Sequence, residues 1–548
     1  MHQVIEKREN AARRVVDEKK NLVSPASVWL VGIAVLYLFG LAVLAAADEG
    51  STSPKRVRQI RIIRGNVFDA SEADRHGIFR VANSLHIKTR ERVLRREFLI
   101  EEGELVDHEL LAATERAIRA HEFVNEARIV VVPVDDETVD IELYTHDSWT
   151  IVPGVLLETG GGISKLGVTA TDKNLAGYGK TIMFQGVHDT DVGTDIAGSY
   201  NDPQVLGSHW VGHGSFKTGP LEDSALVALT RPYFSPDTKW AYGGHGYWQD
   251  ETVRFFDSNS ASEISRNRES KRSGQVFLSR EFGARFNKFT AEVRYAYSDI
   301  EYTAIKGTTM VLPEDRHSLT ASVALFKRGE SFVKEKRIQK MTITEDIRLG
   351  YNVGVRLGRS GFPIPEGDKE WTLSGQYHHA FQIEKGRYLF LDNRVSTLIK
   401  RNTVLSLGGQ YYYKWLHWQT LALNFRLRRS WNLDNTNQFA LGGNSGLRGY
   451  KARRFNGDKS FLVNAESRLY SPIEILTVAL GGVVFVDAGR AWDRGSEIDL
   501  AELKYSAGFG LRLGLTRAPN EPTSGFDIGF PLNSKGDYSV TIGSDHHF

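Results

Sequence analysis

Hydrophobic and polar positions alternate with a period of two over most of this chain, most cleanly near its C-terminus. There Tyr505, Ala507, Phe509, Leu511, Leu513 and Leu515 form an apolar face opposite Ser506, Gly508, Gly510, Arg512 and Gly514, as in a strand whose two faces meet different surroundings. Residues 420–428 repeat the pattern, with Leu421, Leu423, Phe425 and Leu427 against Thr420, Ala422, Asn424, Arg426 and Arg428. Similar dyads run through 371–381, 403–413, 461–469 and 538–542, and beyond Trp149 no helical periodicity appears.

Residues 55–146 follow a mixed pattern. Val57, Ile60, Ile62 and Ile63 predict a strand ending at Gly65-Asn66, and a helix can begin after Thr89 with Val93, Leu94 and Phe98 on one face. A second helix starts at Asp107 as N-cap and spaces Leu110, Leu111, Thr114, Ala117, Ile118 and His121 by threes and fours. Strands at 127–133 and 138–144 follow, joined by the polar turn Asp135-Asp136-Glu137. The expected order is β-α-α-β-β, a small α+β domain.

The second face of the later strands decides their environment. A soluble sandwich packs one face on another sheet and covers the other with Lys, Glu and Thr. Here that face is Gly, Ser, Asn and Arg, which suits a water-filled or loop-plugged interior. Segments of ten to fifteen residues, separated by short turns and by polar loops such as 257–273, fit membrane-crossing strands. Such strands must leave no free edge, so the pattern predicts a closed antiparallel transmembrane β-barrel of about sixteen strands. Aromatic clusters near strand ends (Tyr242, Tyr247, Trp248; Tyr411, Tyr412, Tyr413, Trp415, Trp418) read as interfacial girdles.

Composition removes several alternatives. The 548 residues have a negative mean hydropathy, which excludes a polytopic helical membrane protein. The 28 Phe, 20 Tyr and 10 Trp exclude a disordered chain. No cysteine is present, so thiol catalysis and cysteine-bound zinc are out. A basic segment, the apolar run 28–47 and Ala45-Ala46-Ala47 have the layout of a secretory signal peptide, residues 1–47. A linker (48–54), the small domain (55–147) and the barrel (148–548) follow. Residues 48–548 carry 63 bases and 63 acids, a neutral body with no footprint for nucleic acid.

Enzyme signatures approach and fail. Gly179-Lys180-Thr181 lacks the earlier glycine of a phosphate loop, His121-Glu122 lacks the second histidine of a zincin, and His546-His547 beside Asp545 lack a third imidazole. No catalytic residue, metal or cofactor is expected. What stands out is the loop Gly442-Gly443-Asn444-Ser445-Gly446-Leu447-Arg448-Gly449-Tyr450. By strand alternation Glu466 shares a face with Asn464 and Arg468, and Asp487 lies opposite Val484 and Val486, so both carboxylates point to the polar interior. A loop guanidinium folded inward could pair with both.

The loop Leu447-Arg448-Gly449-Tyr450, the strands with Glu466 and Asp487, the Gly-rich strand at 507–512 and the aromatic C-terminus resemble the BamA/TamA-type outer-membrane assembly barrels of the bacterial surface antigen family. Asn174-Leu175-Ala176-Gly177-Tyr178-Gly179 and Arg231-Pro232-Tyr233-Phe234 are similar to that family's early hairpin turn and strand-end motif. The resemblance implies a sixteen-strand barrel in the outer membrane, Arg448 locked onto Glu466 and Asp487, and residues 55–147 as one periplasmic POTRA-like module where family insertases usually carry several. It implies insertion or translocation of polypeptides by strand addition, at a POTRA edge and at a seam between a first strand within 151–171 and a last strand carrying Tyr538, Val540, Ile542 and Phe548. Implied partners are outer-membrane lipids, unfolded outer-membrane or exported polypeptides, and periplasmic chaperones or accessory lipoproteins, with the protein a monomer or homodimer. The rival reading is a passive channel or dedicated secretion pore.

Overall fold

The computed structural model describes residues 55–160, 163–256, 262–305, 312–361, 369–399, 401–433, 438–493, 495–518, 523–533 and 538–544. The expected signal peptide and linker, His546, His547 and Phe548 lie outside the described residues, as does the side chain of Ile542.

The N-terminal part opens with β1 (Arg56–Arg64) and continues through α1 (Ala70–Arg75), α2 (Gly77–Leu85), α3 (Glu91–Arg95) and α4 (His108–Arg119) to β2 (Val124–Pro133) and β3 (Thr138–Asp147). β3 lies at the centre of a three-stranded sheet, parallel to β1 and antiparallel to β2. α4 starts where its periodicity predicts, because the Asp107 carboxylate accepts from the free N–H groups of Glu109 and Leu110, both at 3.0 Å. Val93, Leu94, Ile118, Phe123 and Leu143 form one core under the helices, and Val57, Ile60, Ile100, Leu111 and Ile141 a second. Two helices were expected and four are present among the described residues. The extra pair, α1 and α2, is short, and α2 buries no side chain, so it leaves little core signal; the Asp69/Glu72 capping box at the start of α1 was its legible mark.

From Trp149 onward the structure is β. Six short strands of eight to ten residues come first: β4 (Ile151–Gly160), β5 (Ile163–Asp172), β6 (Thr181–Asp189), β7 (Gly193–Asp202), β8 (Val211–Thr218) and β9 (Glu222–Arg231). Longer ones follow: β10 (Trp240–Phe256), β11 (Glu263–Ala284), β12 (Asn287–Ala304), β13 (Arg316–Glu335), β14 (Glu345–Ser360), β15 (Trp371–Glu384), β16 (Arg387–Leu398), β17 (Arg401–Leu416) and β18 (Gln419–Trp431). Two three-residue strands, β19 (Phe439–Leu441) and β20 (Phe455–Gly457), pair with each other and bracket the Arg448 loop. The chain then finishes with β21 (Lys459–Ile475), β22 (Val478–Trp492), β23 (Lys504–Leu515), β24 (Thr523–Pro531) and β25 (Ser539–Ser544).

Apart from β19 and β20, the strands from β4 onward make one large antiparallel sheet in sequence order, with the last strand beside the first. It holds twenty strands, against about sixteen expected. The difference arises between Ile151 and Arg231, where six strands offer only four or five residues per face, too few for each to stand out as a separate dyad. The polar loop expected at 257–273 is also revised: residues 263–273 belong to β11, a strand of 22 residues. A strand that long runs past any bilayer, so its ends can be polar and still paired.

Burial follows the alternation. In β22 Val484 and Val486 are 54% and 48% exposed while Phe485 and Asp487 are buried. Val155, Val168, Val276, Val293 and Phe509 continue the exposed apolar belt on other strands. Trp248, Trp415 and Trp418 are exposed as girdle residues would be, but Tyr412 is wholly buried on the inner face. It packs there with Ile338, Leu349, Tyr388 and Ala422.

Ile338 belongs to the connection between β13 and β14, residues 336–344, which turns inward instead of away from the sheet. Its Ile338 and Gln339 amides donate to the Glu345 carboxylate at 2.9 Å. The Thr420 hydroxyl donates to the Arg337 carbonyl at 2.6 Å, and Met341 packs on Tyr470 and Ala479.

Candidate functional site

Arginines head the bulky side chains that are wholly buried: Arg448, Arg468 and Arg512. Burying a cation is costly unless it is paired and hydrogen-bonded, and here each guanidinium meets a buried carboxylate. Arg448 donates through Nε and Nη2 to both oxygens of Asp487 at 2.9 and 2.8 Å, a bidentate fork, and its Nη1 reaches Glu466 at 2.8 Å and Asp527 at 3.1 Å. Arg468 donates to the other oxygen of Glu466 at 2.9 Å, and Arg512 to Asp527 at 2.5 and 3.1 Å. Three cations thus face three anions, a neutral cluster in which every carboxylate is engaged. The Asn464 amide donates to Asp487 and to the Gly446 carbonyl, both at 2.7 Å, tying loop backbone to strand. The Arg448 guanidinium also lies 3.4 Å above the Phe485 ring.

Shape holds the loop as firmly as charge. Leu447, Tyr450, Leu441, Phe455, Leu462 and Ala491 pack in one cluster, and the Tyr450 hydroxyl donates to the Tyr505 carbonyl at 3.1 Å. Gly449 has φ +89°, and a Cβ there would stand 3.0 Å from the Gly529 carbonyl carbon of β24. Only glycine fits both the conformation and the approach. Gly510 serves differently: a Cβ on it would overlap the Asp527 carboxylate, so the glycine makes the space that the carboxylate fills.

Of the residues singled out in the sequence, Leu447, Arg448, Gly449, Tyr450, Glu466 and Asp487 come together. Tyr538 is exposed and stands just before β25, to which Val540 and the backbone of Ile542 belong, paired to Ile528 and Phe526 of β24. Asp527, the carboxylate shared by Arg448 and Arg512, is not among the residues singled out. Its signal was present, because Asp527 alternates with Phe526, Ile528 and Phe530, but nothing local tied it to a loop 79 positions earlier.

The small domain rests on the turns at one end of the sheet. Asn174, in the turn after β5, donates to the Thr89 hydroxyl at 2.9 Å, and the Arg90 amide to the Gly177 carbonyl at 2.9 Å. After β7 the same geometry recurs: Leu206 and Gly207 have φ +52° and +76°, as Ala176 and Gly177 have +52° and +77°. There the Gln204 amide donates to the Val93 carbonyl at 3.1 Å and to Glu97 at 2.5 Å. Burial pushes the Glu97 carboxyl up, but the hydrogen bond and charge of His121, 3.0 Å away, together with Gln204, outweigh it and hold the group below the usual carboxylate range. On α4, Arg119 forks onto Asp346 at 2.8 and 2.9 Å, and Arg116 stacks on the Phe332 ring at 4.1 Å.

The sequence of residues 205–543, most of the large sheet and the whole clamp, matches the Omp85 superfamily domain. The chain belongs to the Omp85 superfamily. Its members are outer-membrane β-barrels that insert or translocate polypeptides and are not enzymes. Among solved structures, this Omp85 chain is similar to BamA from Haemophilus ducreyi lacking POTRA domains 1–3, at 13% identity over 89% of this chain and 84% of that one, with a TM-score of 0.37. CdiB from Acinetobacter baumannii is 14% identical over 90% of this chain and 74% of its own, with a TM-score of 0.43. CdiB from Escherichia coli is 12% identical over 95% and 99%, with a TM-score of 0.44. No curated protein matches the sequence.

Proposed function

We propose that this Omp85 chain is a closed transmembrane barrel whose small domain is a POTRA-like module in the periplasm, exported by a signal peptide cleaved after Ala47, and that it inserts or translocates unfolded polypeptides by strand addition. Incoming chains pair at the free edge of the small domain's sheet and at the seam between β4 and β25, where backbone groups give recognition that tolerates many sequences.

One observation carries this reading: the arginine clamp reaches the strand next to the seam. Arg448 ties its loop to Glu466 on β21, Asp487 on β22 and Asp527 on β24, and β24 pairs with the last strand. Around that seam the wall is short, with ten residues in β4, nine in β24 and six described in β25, against 16 to 22 in β10 to β14 on the far side. A strand of about nine residues only just crosses a bilayer, so the clamp braces the part of the wall that is easiest to part. A freely conducting pore is the weaker reading, because the Arg448 loop and residues 336–344 both occupy the interior.

Depletion of the protein followed by quantification of other outer-membrane barrels and surface proteins tests the proposal. Broad loss is expected of an insertase. Loss of one secreted species would mean a dedicated exporter, and intact proteins with reduced solute uptake would overturn polypeptide handling altogether.

A further inference from the structure

Helix α2 carries an apolar face that the rest of the described protein leaves open. Ile78, Val81 and Leu85 recur at spacings of three and four on one side of the helix and stand 63%, 57% and 65% exposed. Ile87, just beyond the helix, is also exposed. The opposite side makes the attachment to the domain: Phe79 stacks on Phe68 at 4.1 Å, and the Asn83 amide exchanges hydrogen bonds with the Phe68 backbone. The open side is therefore a feature of how the helix is held.

Its surroundings identify what meets it. Leu85 and Ile87 line a cleft with Trp149 and Ile151. Ile151 begins β4 and starts the outward row that continues to Val155, which pairs with Val168 of β5 in the exposed apolar belt. The Leu85 end of the helix face thus meets the foot of the first strand's apolar outside, with Asp172 and Asn174 completing the cleft. Residues 70–96 hold seven bases and three acids, and Arg75, Arg80 and Lys88 around the helix are all exposed. An apolar stripe flanked by exposed cations is the chemistry of a helix lying in a membrane interface with anionic headgroups.

We propose that α2 lies in the periplasmic-side headgroup layer of the membrane, with Ile78, Val81 and Leu85 turned into the acyl boundary, and holds the small domain against the bilayer at the foot of the β4–β25 seam. This rests on the transmembrane reading of the large sheet, and the test separates the two.

Because the chain has no cysteine, Val81→Cys, Val168→Cys and Asp136→Cys each give one site for an environment-sensitive fluorophore. The full chain is reconstituted in phosphatidylethanolamine and phosphatidylglycerol vesicles, and quenching by nitroxide-bearing lipids is compared with quenching by aqueous iodide. Asp136 lies in the turn that precedes β3, and the ten residues of β3, about 33 Å at strand rise, run from there towards the large sheet. The label at 168 should be quenched by lipid and that at 136 by iodide, and parallax between nitroxide depths should place the label at 81 about 5–10 Å into the headgroup and acyl boundary. Adding Ile78→Asp and Leu85→Asp should return the label at 81 to iodide without moving that at 168. Lipid quenching at 168 with free iodide access at 81 would overturn the proposal, as would shielding of 81 from both quenchers, which would mean a protein cover. Lipid quenching at 81 that survives both aspartates would overturn it too. Absence of lipid quenching at 168 would instead bring down the transmembrane reading itself.

Discussion

Arg448 is bound by three carboxylates and stacked on one ring, so its loss leaves anions buried without a partner, and that penalty exceeds what the intact cluster contributes. Arg448→Met is expected to cost about 3–5 kcal/mol in unfolding of the detergent-folded protein. Arg453 in the same loop, 41% exposed in its side chain and 3.5 Å from Asp191, is expected to cost less than about 1 kcal/mol when changed to Met. Equal losses, read from urea titrations monitored by heat-dependent gel mobility, would contradict the clamp. Asp527 gives an independent check. Arg512→Met and Asp527→Asn should be non-additive, with a coupling above about 0.5 kcal/mol in the double-mutant cycle, because the two groups share a buried contact. Additive effects would place the energy elsewhere.

Two connections, one from each end of the large sheet's strands, turn onto its inner face, and they are held there by different means. The Arg448 loop is pinned by ions and by the approach of Gly449 to Gly529, so Gly449→Ala should release it: strain at φ +89° and a clash with β24 are both expected. Limited proteolysis within 442–457 should become fast in that variant, and unchanged resistance would mean that the contact is not limiting. Residues 336–344 are held instead by apolar burial of Ile338 and Met341 and by the Glu345 carboxylate. Replacing 336–344 by a short Gly-Ser turn is expected to raise single-channel conductance in planar bilayers, while an unchanged conductance would locate the block in the Arg448 loop or the small domain. In the sequence, the first loop was visible because one arginine stood among glycines. The second was not, because an Ile and a Met in a polar connection look the same whether they face a neighbour or solvent.

At the scale of the whole molecule, the small domain and the large sheet are joined by hydrogen bonds and ion pairs spread over several turns, so their union responds to charge and to acid. Asp346→Arg should loosen the domain by setting a cation against Arg119, and adding Arg119→Asp should restore the contact, as read by a single-cysteine crosslink between α4 and β14. Despite its burial, Glu97 titrates below the ordinary carboxylate value, chiefly through His121 of its own domain and, across the junction, through Gln204; the Gln204 share of its contribution is complete above that value and is lost as pH falls through the lowered one. Crosslinking near Gln204 should therefore weaken only in acid, and Glu97→Gln should remove that dependence. What the sequence alone determined was the alternation where it runs cleanly: which residues face out at 420–428, 461–469 and 505–515, that Glu466 and Asp487 face in, and that one guanidinium in a Gly-rich loop was available to meet them. These follow from periodicity, which is written within a few neighbouring residues. Only the tertiary structure decided that the main sheet has twenty strands, that Asp527, Arg468 and Arg512 complete the clamp, and that turns after β5 and β7 seat the small domain. Those outcomes depend on register and on where the sheet returns to its first strand. Both are set by contacts such as Arg448 to Asp527 across 79 positions, a separation at which local pattern carries no information about who meets whom.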